Sequence, residues 1–239
     1  MMQRRLDGRL AVVTGASRGI GQAVSIALGR EGAHVIAIAR TVGGLEETDD
    51  AIQAVGGSAT LVPLDLTDFD ALDRLGASIF ERWKKLDILI GNAAMLGPLS
   101  PLGHLKPEAW KNTLDLNVTA NWRLIRSLDP LLKLSDAGRA VFVTSGVGHT
   151  PRAYWGGYAV SKAALEMLAQ IYAAECVKTR IRVNLVNPGA TRTKMRAQAM
   201  PGENPETLPT PESLVPLFLS LVDPDCERHG ELIDARARV

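Results

Sequence analysis

Seven short runs rich in Val, Ile, Leu and Ala punctuate the chain, at Leu10–Thr14, His34–Ala39, Ala59–Leu64, Leu86–Gly91, Ala140–Thr144, Ile181–Asn187 and Glu231–Asp234, and segments with helical spacing separate them. Runs that are apolar at nearly every position, and not only at every second one, have both faces buried. In a strand that means helices above and below the sheet. Strands that alternate with helices are joined by crossovers, and crossovers make neighbouring strands parallel. The pattern predicts an α/β protein: one doubly wound parallel sheet of about seven strands with helices on both faces. At 239 residues, positions 1–239 suit a single domain of this class.

Two helical segments carry wide apolar faces. One lies between Pro107 and Leu134 and carries Trp110, Leu114, Leu116, Val118, Trp122, Leu124 and Leu128; the other is Tyr158–Lys178, with Leu165, Leu168, Ile171 and Tyr172 on adjoining turns. These faces either cover the sheet or meet a second copy of the chain. Residues 200–211, MPGENPETLPTP, hold four prolines and a glycine and predict a long loop, either a lid or a plain surface excursion.

Basic and acidic residues number 27 and 26, so no overall field favours nucleic acid or an anionic membrane. The leader Met1–Gly8 has no apolar segment of a signal peptide, and no run nears the ~20 apolar residues of a spanning helix. A cytoplasmic protein is expected. Cys176 and Cys226 form no CxxC pair, and His34, His104, His149 and His229 show no ligand spacing; no disulfide framework and no catalytic metal is expected. His149, four residues past Ser145, is either a solvated loop residue or one that touches substrate.

The stretch TGASRGIG at 14–21 follows the first strand and opens a helix-like segment. Small residues there let something approach the backbone closely. One reading is a phosphate resting on free helix N-terminal N–H groups. The other is the G-x-S-x-G elbow of a serine hydrolase, Gly15 to Gly19. The elbow reading lacks an upstream strand and loop to supply an oxyanion-hole N–H, because nine residues precede the first strand. At the end of the second strand, where a carboxylate would meet a ribose 2′-OH, stand Ala39 and Arg40, and Arg18 lies within the glycine loop. Two guanidiniums and no carboxylate suit a 2′-phosphate, so NADP(H) is favoured, with NAD(H) the alternative. Downstream, Tyr158 and Lys162 are one helical turn apart on one face, and Ser145 ends the fifth apolar run. All three fall at the ligand-binding edge of such a sheet.

With these segments in place the chain resembles the short-chain dehydrogenase/reductases over essentially its whole length. The matching stretches are TGASRGIG, LDLTD, GNAAMLG, LNVTAN, VTSGVG, YAVSK and RVNLVNPGATRT, in that family's order and spacing. Through YWGGYAVSK and NPGATRTKMRA it is most similar to a bacterial subgroup of oxidoreductases. The resemblance implies a Rossmann-type sheet and an NADP(H)-dependent oxidoreductase acting on a small-molecule carbonyl or alcohol. It implies a homo-oligomer, dimer or tetramer. Tyr158 would be the general acid/base and Ser145 the donor to the substrate oxygen. Lys162 would bind the nicotinamide ribose and depress the tyrosine pKa, and Asn117 would hold a water linking Lys162 to solvent. Gly15, Ser17, Arg18, Gly19, Ile20 and Gly21 would line the phosphates and nearby ribose, Arg40 the 2′-phosphate and Asp65 the adenine. Asn92 and Ala93 would follow the ring, with Pro188, Gly189 and Thr193 at the nicotinamide. Two departures from the family pattern stand out: Gly91 and Ala94 frame GNAA where Asn and Gly are usual, and GELIDARARV lacks the usual Asp-Gly-Gly. Trp155, Tyr154, Met95, Leu96 and Met195 are candidates for an apolar substrate wall. The competing function is a non-catalytic NADP(H)-binding sensor or scaffold on the same fold.

Overall fold

The computed structural model describes residues 4–236. Met1–Gln3 of the leader and the last three residues of GELIDARARV lie outside the described residues. Seven strands form one sheet: β1 Leu10–Thr14, β2 His34–Ala39, β3 Ser58–Pro63, β4 Ile88–Gly91, β5 Arg139–Val143, β6 Arg182–Asn187 and β7 Leu232–Asp234. Their order is β3-β2-β1-β4-β5-β6-β7, and every neighbouring pair is parallel, with Val12 opposite both Ile36 and Leu89. The chain leaves β3 at one edge and re-enters the sheet beside β1 as β4. That reversal opens a crevice beyond the carboxyl ends of β1 and β4.

Alternate residues of the central strands bury on opposite faces, as a two-residue period requires. Leu10, Val12, Ile36 and Ile38 pack with α3 (Phe69–Trp83), α5 (Ala120–Leu132) and α6 (Gly156–Cys176). Ala11, Val13, Val35 and Ala37 pack with α1 (Gly19–Arg30), α2 (Val42–Ala54) and α8 (Val215–Val222). Two small helices, α4 (Pro107–Leu114) and α7 (Lys194–Ala199), complete the set. On the first face α3 and α5 approach so closely that a Cβ on Gly76 would lie 2.1 Å from the Ser127 carbonyl oxygen.

The two amphipathic segments divide their apolar residues between both expected uses. Leu124, Leu128, Leu165 and Tyr172 cover the sheet, while Trp122, Val160, Met167 and Ile171 remain exposed on α5 and α6. The stretch predicted as one helical pattern from Pro107 is interrupted: Asp115–Thr119 makes a wider, π-type turn between α4 and α5. Residues 200–211 are a loop with a short 3₁₀ turn at Pro205–Thr207.

The end of the sheet opposite the crevice is tied by a buried carboxylate. Asp87 is fully buried and accepts from the Leu10 N–H at 2.9 Å, the Ser135 hydroxyl at 2.6 Å, Lys85 Nζ at 3.0 Å and Arg9 Nη1 at 3.2 Å. Removing it leaves a buried N–H and a hydroxyl proton unpaired and takes a carboxylate from Lys85, while Arg9 keeps its ion pair with Asp136 at 2.6 Å. Asp87→Ala is expected to lower the free energy of unfolding by about 2–4 kcal/mol in a urea titration; a loss below about 0.5 kcal/mol would show that the sheet does not rely on this tie.

Candidate active site

At the crevice, the end of β1 and the end of β4 are stapled by one hydroxyl. Thr14 Oγ1 donates to the Ile90 carbonyl at 3.2 Å and accepts from the N–H groups of Asn92 at 3.0 Å and Ala93 at 3.1 Å. Asn92 Nδ2 returns a bond to the Thr14 carbonyl at 2.9 Å. Gly15 then turns the chain with φ +65°, a left-handed value that favours glycine. A Cβ on Gly21 would lie 2.3 Å from the Gly15 carbonyl oxygen and 2.5 Å from Asn92 Nδ2. Gly21 thus serves the packing of helix against loop. Helix α1 begins after Arg18 with no side-chain cap on its first N–H groups and no acidic residue in its first turn, which leaves a positive helix end at the crevice.

A cavity of about 970 Å³ runs from this loop to Tyr158. It is walled by the sequence-predicted residues Gly15, Ser17, Arg18, Gly19, Ile20, Arg40, Asp65, Asn92, Ala93, Ser145, Tyr158, Lys162, Pro188, Gly189 and Thr193. Gly21 and Asn117 are not on its wall. At one end the Arg40 guanidinium, 68% exposed, stands 3.5 Å from the Asp65 carboxylate. Burial raises the Asp65 pKa, but hydrogen bonds from the Thr67 N–H and hydroxyl, with the Arg40 charge, outweigh it and hold the carboxyl below its ordinary value. At the mouth Thr193 caps α7, its hydroxyl accepting from the Arg196 N–H at 3.2 Å.

Three side chains meet at the other end. Tyr158 and Lys162 come from the first turns of α6, and Ser145 follows β5 in extended conformation. Lys162 is 2% exposed, and Nζ donates to the Val143 carbonyl at 2.7 Å. Burial pulls its pKa down to about 8, with the Glu166 carboxylate opposing. Tyr158 is 8% exposed, and burial pushes its phenol up to about 12, against the Ser145 hydroxyl, which lowers it. The ammonium sits 5.6 Å from the phenol ring centroid, and burial dominates the shift.

Asn117 lies in the π-type turn and is fully buried. Its side chain accepts from the Met95 N–H and donates to the Met95 carbonyl and the Ser161 hydroxyl, each at 2.9 Å. The amide is thereby committed to fastening the loop after β4 to α6, and its main-chain carbonyl accepts from Asn121 Nδ2 at 2.9 Å. Tyr154, a candidate for the apolar wall, is 62% exposed at φ +72° and stands off the cavity; Leu96, Met95, Trp155 and Met195 are on it. Gly91, the departure from the usual Asn, touches Phe142 and Asn121, where a Cβ would come within 2.4 Å and 2.7 Å.

Sequence reasoning missed Thr14, Thr144 and Glu166. Glu166, one turn beyond Lys162 on the same helix, accepts from the Thr144 hydroxyl at 2.7 Å and shares a 3.1 Å contact with His149 Nδ1. Its four-residue spacing from Lys162 was the available signal. His149 belongs to this clamp, with its side chain 42% exposed. Among the described residues no cluster of three or more His, Cys, Asp or Glu has metal-binding geometry, and no helix is long and apolar enough to cross a membrane.

A family model of short chain dehydrogenases matches residues 9–204. The uncharacterized oxidoreductase YciK of Escherichia coli K12 is 39% identical over 238 residues, which is 98% of this chain and 94% of that one. A Shigella flexneri 2a structure complexed with NADP superposes with a TM-score of 0.93 at 39% identity, covering 98% of this chain and 99% of the other. An Escherichia coli CFT073 structure complexed with NADPH gives 0.92 at 38% identity, covering 99% and 100%.

The staple makes a direct prediction. Thr14→Val keeps the side-chain shape and removes the hydroxyl, leaving the Ala93 N–H without its acceptor while the Asn92 N–H keeps the Ile90 carbonyl at 3.1 Å, so stability should fall by about 1–2 kcal/mol in chemical denaturation. An unchanged denaturation midpoint would mean the loop is held by other contacts.

Proposed function

The chain belongs to the short-chain dehydrogenase family, and on that premise we propose that it is an NADP(H)-dependent oxidoreductase interconverting a carbonyl and an alcohol, with Tyr158 as general acid/base. The observation that carries the reading is the convergence of Tyr158, Lys162 and Ser145 on the wall of the cavity whose far end is the glycine loop and Arg40. The chain's own chemistry fits a dinucleotide: uncapped N–H groups at the start of α1 for the pyrophosphate, Arg18 and Arg40 for a 2′-phosphate, and Asp65 beside the adenine. Arg40 is held only by a long, solvent-screened contact to Asp65, which a doubly charged phosphate competes with readily. The relatives solved with NADP and NADPH support the same choice. Asn92 and Ala93 line the route along the loop, and Pro188, Gly189 and Thr193 border the nicotinamide end.

When bound, NADPH supplies a hydride to the carbonyl carbon and is left as NADP⁺. Tyr158 Oη delivers its proton to the carbonyl oxygen as the C–O π pair settles there, so the carbonyl becomes an alcohol. In oxidation the phenolate takes that proton back. Ser145 donates to the same oxygen and orients it. Lys162 binds the ribose and supplies a positive charge beside the phenol. A phenol displaced upward by burial is fully protonated near neutrality and therefore ready to act as an acid. The exposed Trp122, Val160, Met167 and Ile171 support assembly of two or four copies through α5 and α6.

Tyr158→Phe should reduce turnover with NADPH and a ketone and aldehyde panel by at least about 10²-fold, with NADPH fluorescence still reporting a bound cofactor; near wild-type turnover would remove the tyrosine from its role. In the reductive direction kcat/KM should fall as pH rises through about 8, where Lys162 loses its proton and with it the charge beside the reacting oxygen. A rate that holds level to pH 9.5 would contradict this. Arg40→Asp should weaken NADPH binding far more than NADH binding in paired titrations, and equal losses would show that Arg40 does not read the 2′-phosphate.

A further inference from the structure

The cavity changes character at the Tyr158 end. Leu96, Trp155 and Tyr158 pack as an apolar cluster of their own, with Met195, Ala199 and Met200 against it. Trp155 meets Tyr158 edge-on, ring centroids 6.1 Å apart. Cations stand beside this cluster; two arginines among them are engaged by carboxylates, and Lys194 is exposed on the same wall. Arg196, next to Met195 on α7 and on the cavity wall, gives Nε and Nη2 to the two carboxylate oxygens of Glu203, each at 2.6 Å. Arg192 gives Nη1 to Glu206 Oε1 at 3.2 Å and Nη2 to the Glu206 and Leu208 carbonyls. The Arg152 guanidinium lies 5.0 Å from the Trp155 ring centroid.

The Arg196–Glu203 pair has paired, parallel geometry, which takes the Nε–Nη2 edge of the guanidinium and neutralises its charge, leaving only the Nη1 side toward any other carboxylate. Both partners respond in the same sense: Glu203 raises the Arg196 pKa, and Arg196 holds the Glu203 carboxyl below its usual range. A carboxylate brought to the Arg196 pair and the apolar cluster, away from the exposed Lys194, then faces two unfavourable options. It displaces Glu203 against like-charge repulsion, or it lies unpaired against Leu96 and Trp155, where losing water is strongly unfavourable.

We propose that this end of the site selects uncharged, largely apolar ketones and aldehydes, and that Glu203 sets the choice by occupying the Arg196 guanidinium. The inference rests on the oxidoreductase reading above and adds the substrate class and a specificity-determining residue outside the reacting groups. Selectivity here comes as much from excluding the wrong charge as from contact with the right surface.

The test uses the full chain, NADPH oxidation at pH 7 and two matched probe pairs: acetophenone with 4-acetylbenzoate, and 2-hexanone with 5-oxohexanoate. In each pair kcat/KM for the neutral ketone should exceed that for the acid by at least about tenfold, the scale on which a site discriminates by one misplaced polar group. Glu203→Gln should move at least one pair's ratio toward the acid by about fivefold or more, and Arg196→Met, which removes the cation itself, should not. An acid handled as well as its ketone by the wild-type chain overturns the inference, as does an unmoved ratio in a folded Glu203→Gln variant. An acid preference lost on Lys194→Ala also overturns it, since the exposed Lys194 would then be reading the carboxylate. If NADPH binds and none of the four compounds nor a wider carbonyl panel oxidises it, the oxidoreductase reading fails and takes this inference with it. Turnover with the selectivity reversed sinks the inference alone.

Discussion

Lys162 carries its ammonium to a place where only 2% of the residue meets solvent and donates a hydrogen bond to the Val143 carbonyl 2.7 Å away. A lone charge so buried is costly, and the downward displacement of its pKa to about 8 records that cost. The hydrogen bond fixes the first turns of α6 to the end of β5. One turn before Lys162 stands Tyr158, and two residues beyond Val143 stands Ser145, so a single contact sets the spacing of the phenol and the hydroxyl. Glu166 strengthens the joint from the next turn. It holds Thr144, between Val143 and Ser145, and His149 on the far side of the Ser145 turn. Gly148 must lack a side chain for this, since a Cβ there would fall 2.5 Å from Glu166 Oε1.

A second joint organises the opposite end of the cavity. Thr14 joins the ends of β1 and β4, and the glycine loop folds over that joint with Gly15 in the left-handed region and Gly21 against the Gly15 carbonyl. The two ends differ in electrical character for reasons of sequence. At the loop, cations and N–H groups face open space, because no carboxylate caps α1. At the Tyr158 end the arginines of TRTKMR fold back onto Glu203 and Glu206, and Trp155, Leu96 and Met195 make the apolar part of the wall. On the reading proposed above, a dianionic group and an uncharged one would go to different ends of one space.

The sheet was legible because continuous apolar runs have few other uses: each of the seven predicted runs corresponds to a strand, two with the same bounds and the others with ends shifted by one or two residues. Strand ends moved where a turn or a side-chain tie decides the matter, as at Asp87, whose carboxylate binds the backbone of β1 just before β4 begins. The π-type turn at Asp115–Thr119 was not legible. DLNVT carries no residue type that demands it, and the turn follows from the Asn117 amide reaching Met95 and Ser161 on other elements. The members of the candidate site could be read off their motifs, yet the electrostatics could not. The proximity of Tyr158 to Lys162 along the helix suggested a lowered phenol pKa, whereas the structure buries the phenol and turns the ammonium toward a carbonyl, so desolvation dominates. The Arg196–Glu203 pair was likewise hidden, because its partners are seven residues apart across a turn.

All of these joints matter to function only if they bring a proton donor and a hydride acceptor together over one bound cofactor. The most direct measurement follows the hydride itself: NADPH carrying deuterium at C4, tested as each of its two epimers, is incubated with the protein and a mixed ketone and aldehyde panel, and the products are read by mass spectrometry. The account predicts deuterium on the carbinol carbon of a product alcohol from one of the two epimers. Cofactor that binds yet keeps its label with both epimers, with no labelled alcohol across the panel, would contradict it.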